Sequence, residues 1–151
     1  SSLGTADRAA VLAFSKKTAR VQRAALGARE AAKEAKDRLD HLEKAFLDTP
    51  AAPSELFGEV RRLRLALADL DVALNGDSTL GKRNEPALPG LVDRVQGVVN
   101  AHWSTTGAPT ATQQAEVETA AAMTGKALET PHGISKDLAA SKAFFASLSR
   151  R

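Results

Sequence analysis

Three histidines, His41, His102 and His132, are the first places to look for chemistry, because an imidazole can move a proton near neutral pH or bind a metal. A metal site needs two or three ligands converging, for instance one turn apart on a helix, and no histidine here has a second one at that spacing. All three read as surface or boundary residues. Asp37 and Asp40 with His41 form a carboxylate and imidazole group on paper, but the interleaved Lys36, Arg38 and Lys44 make the stretch a solvated, charged helix face. Asn75, Asp77, Ser78 and Glu85 carry oxygens suited to calcium. They lack the alternating acidic ladder and closing glutamate of a calcium loop, so the stretch reads as a helix end followed by a turn. Ser104, Thr105 and Thr106 put hydroxyls beside His102, without the strand-to-helix elbow or the orienting acid that a nucleophile needs. Trp103, the single tryptophan, is expected to plug the end of the fold against Leu88 or the Pro109 turn rather than to stack on a sugar. No catalytic, cofactor-binding or metal-ligating residue is assigned, and no cofactor.

Composition narrows the classes further. The chain has 151 residues, enough for one domain with its own core, and no cysteine, which removes disulfides and thiolate metal sites. Twenty-one basic residues are nearly matched by 18 acidic ones, giving a formal charge of +3 and a mixed rather than basic surface. Arg61, Arg62 and Arg64 form one small cluster and Lys16, Lys17, Arg20 and Arg23 another, yet aromatic residues make up only 4% of the chain. Nucleic-acid binding wants a one-sided basic stripe with aromatics between the cations, so it is disfavoured. No apolar run approaches the ~18 residues that span a bilayer, and no membrane insertion is expected. The opening Ser1-Ser2, with no initiating Met, reads as a piece excised from a longer protein or left by processing.

The elements that carry these residues are all helical. Val11, Phe14, Thr18, Val21, Ala25, Ala28, Ala32, Ala35, Leu39, Leu42 and Phe46 step by threes and fours, which predicts one long helix over 5–47 with a single buried seam. Thr5 is expected to cap it; Gly27 could mark a bend or a close contact, but the register passes through it unbroken and a continuous helix is expected. Pro50 and Pro53 stop that helix. A second helix, over 55–75 with Ser54 as its cap, carries Leu56, Val60, Leu63, Leu67, Leu70 and Leu74, and the short linker folds it back on the C-terminal half of the first. A third spans 90–102 with Leu91, Val95, Val98 and Val99. A fourth starts after Thr110, with Gln113 and Gln114 in its first turn and Val117, Ala121, Thr124 and Leu128 inward. Pro131, His132 and Gly133 are expected to break it before a final helix over 135–148 with Ile134, Leu138, Ser141, Phe145 and Leu148. No strand pattern is present.

The predicted fold is all-α, an up-and-down helical bundle built on the long N-terminal helix. It forms a single domain over 1–151, with its core at 5–130 and 131–151 as a loosely attached terminal helix. The second helix is too short to clothe the first, so either the later helices or a second copy of the chain must cover Val11, Phe14 and Val21, the second case making a homodimer.

One resemblance adds to this reading. Ala73-Leu74-Asn75-Gly76-Asp77, Leu80, Arg83-Asn84-Glu85-Pro86, Asp93-Arg94-Val95, Trp103, Thr106, Ala108-Pro109-Thr110 and Thr112-Gln113 resemble the C-terminal helical region of large bacterial sortilin-like or BNR-repeat glycosyl hydrolase proteins. The similarity covers approximately 21–121, is most specific in the Asn-Gly-Asp connector and the Ala-Pro-Thr turn, and departs from the pattern beyond Met123. It implies β-propellers ahead of this segment, a secreted or envelope parent, and partners among the parent's other domains. The function it implies is a non-catalytic accessory or interaction domain. The alternatives are a fragment completing a glycoside hydrolase active site on absent domains, and a free-standing bundle that binds a partner or nucleic acid.

Overall fold

A computed structural model of the chain describes residues 4–103, 107–148 and 150, and among them there are five helices and no strand. They are α1 (Thr5–Leu47), α2 (Ser54–Asn75), α3 (Ser78–Lys82), α4 (Leu91–Trp103) and α5 (Ala111–Leu148). α1 is continuous over 43 residues, about 65 Å of rod at 1.5 Å per residue. Its seam is buried at Phe14, Thr18, Val21, Ala25, Ala28, Ala35, Leu39, Leu42 and Phe46, with Val11 and Ala32 half-covered. Gly27 sits on the solvent side of this rod, and a Cβ there would meet nothing within 4 Å, so it is neither a bend nor a close contact.

Two of the expected caps are displaced by one residue. Gly4 occupies the cap of α1 and Pro53 that of α2, neither with a side-chain bond, so Thr5 and Ser54 are the first helical residues instead. The third behaves as its sequence implies. Gln113 N–H donates to Thr110 Oγ1 at 3.1 Å and Thr110 N–H donates to Gln113 Oε1 at 3.0 Å, a reciprocal cap that satisfies two otherwise idle amides.

The core has two joined regions. In the first, small Ala25 and Ala28 of α1 lie against Leu70 and Leu74 of α2, with Leu91, Val95 and Val98 of α4 and Val117, Ala120 and Ala127 of α5 completing the cluster. Large side chains opposite alanines fill the space densely. Thr18 and Thr124 are buried there without cost in unmade bonds, since each hydroxyl donates at 2.7 Å to the carbonyl four residues earlier. In the second, Leu39, Leu42 and Phe46 meet Leu56, Val60, Leu63 and Leu67 of α2 and Ile134 and Leu138 of α5. Phe46 packs against the rings of Phe57 and Phe145 at centroid distances of 6.0 and 4.9 Å.

α4 and the first half of α5 cover the N-terminal half of α1, leaving Phe14 6% and Val21 8% exposed. The seam considered for a dimer is therefore filled within one chain. α4 begins where α2 ends: Gly90 lies so close to the end of α2 that a Cβ on it would stand 2.5 Å from Gly76 N and Leu74 O. α1, α5 and the end-to-end pair of α2 and α4 pack side by side, each against the other two, and residues 77–89 leave and re-enter at the α2–α4 junction. That excursion includes the short α3, which had no counterpart in the sequence reading, capped by Asp77 accepting from Thr79 N–H at 2.9 Å.

The sharpest departure is at Pro131. No break occurs there: α5 runs through it for 38 residues, with Pro131 buried and His132 and Gly133 exposed on the helix. An internal proline removes one helical bond and costs ~3 kcal/mol. The helix persists because Ile134 and Leu138 beyond it are buried against α1 and α2, at about 1.5–3 kcal/mol for each large apolar side chain. Residues 131–148 thus belong to the core and are not a loosely attached end. Before the proline the buried positions are Ala120 and Ala127 rather than Ala121 and Leu128, a shift of one residue that leaves Leu128 partly exposed.

Candidate functional site

The residues singled out for chemistry do not converge. His41 is exposed, and its Nδ1–H donates to the Asp37 carbonyl at 2.7 Å, a helix-surface contact. The Asp40 carboxylate turns instead to Arg64 of α2, at 2.8 Å. Asn75 Nδ2 donates to Asp71 Oδ1 at 2.8 Å and Asp77 is committed to Thr79, whose amide and hydroxyl both hold its carboxyl below the ordinary range, so these two side chains serve helix ends. Among the described residues no group of three His, Cys, Asp or Glu side chains could hold a metal. His132 stands alone on the exposed face of α5.

His102 has a partner that sequence spacing did not reveal. Its Nε2 lies 2.7 Å from Ser15 Oγ of α1, and its ring meets Phe14 edge-on at 4.8 Å. A hydroxyl beside an imidazole is half of a nucleophilic pair. Ser15 lies inside α1, where main-chain amides point along the helix and are already bonded, so the α1 main chain supplies no oxyanion donor. The pair ties α4 to α1. Ser104, Thr105 and Thr106, the hydroxyls considered beside His102, lie outside the described residues. Trp103 does not plug the bundle; it is 83% exposed, as is Leu88, and borders a shallow 370 Å³ cleft with Val11, Ser15 and Gln22.

Three of the seven cations in the basic clusters are engaged in ion pairs among the described residues. Arg62 donates to both carboxylate oxygens of Glu59, at 2.9 and 2.6 Å, and to Asp137 of α5 at 2.6 Å. Those bonds raise the Arg62 pKa, and the same guanidinium lowers that of Glu59. Arg64 faces the other way, to Asp40 and Glu43 of α1. Adjacent arginines in sequence therefore bind α2 to two different helices and do not form one stripe. Lys17 pairs with Glu118 of α5.

A further concave feature lies away from the motifs of the sequence. A groove of about 810 Å³ runs between the C-terminal halves of α1 and α5. Leu42, Leu138 and Phe145 form its floor, and Ala45, Ser135, Ala139 and Ala146 its low walls. Arg38 and His41 stand on one lip, Lys142 and Arg150 on the other, all four exposed. Among the described residues no carboxylate lines it. The signal was present in the sequence as the spacing of Ser135, Ala139, Lys142 and Ala146, which puts them on one helix face. It was obscured by the expectation that α5 was a separate, terminal piece.

No family model, no curated protein and no solved structure matches the chain.

Proposed function

We propose that this chain is a non-catalytic helical interaction module, an accessory segment of a larger protein, that docks a partner or a neighbouring domain in the groove between α1 and α5. The observation that carries the reading is the groove itself, a long apolar floor left uncovered between two helices and bordered by exposed cations. His41, Asp77 and Asp40, which could have been drawn into a reaction, are instead engaged in a helix surface contact, a cap and an interhelical ion pair. The family likeness of the connector and turn favours a propeller-bearing, secreted or envelope parent, with this segment outside the propellers.

The test is made in the full-length parent. Filling the groove by Ala139→Trp is expected to abolish docking or assembly while turnover by the other domains continues. Removing the whole segment is expected to have the same result. Loss of turnover on removal, with the remaining domains folded, would overturn the reading in favour of a helical surface that completes an active site.

A further inference from the structure

The groove between α1 and α5 also restricts what can occupy it, and the geometry points to an acidic amphipathic helix of a partner protein. This inference rests on the docking reading above and specifies the chemistry of the docked element. The α5 side of the groove, from Ser135 to Ala146, is about 16 Å long at 1.5 Å per residue, three turns of helix. The two walls come from adjacent helices, and the residues along them recur every three or four positions, so the space has the shape of the seat between two helices of a bundle. Alanines at 45, 139 and 146 let a third backbone approach closely, and Leu138 and Phe145 offer an apolar surface to its seam. A helix laid there would carry its flanking side chains to the two lips.

Those lips are cationic. Arg38 on one side and Lys142 and Arg150 on the other form no ion pair among the described residues, unlike Lys17, Arg62 and Arg64. A helix with glutamates or aspartates beside its apolar seam would meet complementary charge on both flanks, as in the flanking positions of a coiled coil. A second copy of the chain is a poor occupant. In a two-fold contact the same face meets itself, which would set these cations against one another.

The test uses the whole chain and a fluorescein-labelled synthetic peptide of about 18 residues, long enough to support a helix, with a Leu/Ala seam and glutamates on both flanks. A control peptide keeps the seam and replaces every glutamate by lysine. Binding is read by anisotropy at about 50 and 200 mM salt, across which surface charge is progressively screened. The acidic peptide is expected to bind, more weakly at the higher salt, and the basic peptide not to bind. Arg38→Glu with Lys142→Glu should weaken binding at least tenfold, and Ala139→Trp should abolish it. All three side chains are exposed, and far-UV circular dichroism and melting temperature confirm that the variants fold.

Equal binding of both peptides, or an effect of Ala139→Trp without any effect of the charge reversals, refutes the acidic partner and leaves the docking groove standing. Acidic-peptide binding that survives Ala139→Trp places the peptide elsewhere on the surface and refutes both. Displacement of the peptide by micromolar dodecanoate would assign the groove to a small anionic amphiphile, and overturns the inference.

Discussion

Replacing Gly90 by alanine tests the junction at which α2 and α4 meet end to end. The added methyl would lie 2.5 Å from Gly76 N, 2.5 Å from Leu74 O and 2.6 Å from Asn75 C. Non-bonded heavy atoms settle at about 3.5–4.0 Å, so each contact is too short by about 1 Å. All three obstacles are main chain and cannot swing aside as a flexible side chain would. α4 must retreat from the end of α2, and Leu74 and Leu91, now 0% and 1% exposed, must loosen with it. Overpacking of this kind costs roughly 1–3 kcal/mol, and main-chain obstruction puts the expected loss in the upper half, about 2–3 kcal/mol. For a chain of this size each kcal/mol shifts the melting temperature by about 2–4 °C, so a fall of about 4–12 °C is expected. Urea unfolding followed by circular dichroism gives the free energy directly, and an unchanged slope would show that the unfolded state is not the cause. Gly27→Ala in the same assay should move in the opposite direction. Its Cβ meets nothing and it lies mid-helix, so it should gain up to about 1 kcal/mol. Equal stability of Gly90→Ala and the parent chain would refute the close approach of α2 and α4.

Pro131→Ala restores a helical donor worth ~3 kcal/mol and removes about two buried methylenes at ~0.8 kcal/mol each, so a net gain of about 1–2 kcal/mol is expected by urea titration. A loss would show that the ring's packing matters more than the missing bond. Glu59 has its pKa lowered chiefly by its hydrogen bond from Arg62. A lowered carboxylate pKa contributes stability that is complete above the unfolded value, near ~4.3, and fades as pH falls through the folded one. Stability measured from neutral to acidic pH should therefore fall less steeply in Glu59→Gln than in the parent chain. A slope unchanged by the substitution would show that the pair does not couple to folding. At neutral pH Arg62→Ala should cost no more than ~1 kcal/mol, because its partners are exposed to water.

Much of the architecture was legible because burial repeats with the helix. The seam from Phe14 to Phe46 and the leucines of α2 could be placed by counting threes and fours. The same count extends across the proline: Val117, Ala120, Thr124, Ala127, Pro131, Ile134, Leu138 and Ser141 step by three and four without a slip. Proline's local preference masked this, because a stop signal was weighed residue by residue while the packing that overrides it is collective. The Ser15 and His102 pair was not legible, since 87 residues separate its members and only the return of α4 alongside α1 brings them together. Trp103 misled for the opposite reason: its size predicts burial, but it falls at the last turn of α4, past the final core position at Val98. The groove needed both facts at once, an unbroken α5 and its register against α1.

Because Gly76 and Gly90 all but touch, the thirteen residues between them, 77–89, form a side branch closed at its neck. The rod does not rely on that branch to span any distance, and the entropy of closing a loop changes only slowly with its length. Trimming, extending or replacing it with a folded insert leaves the two helices meeting at the same point, which makes it the place where this chain can acquire new segments without altering its groove.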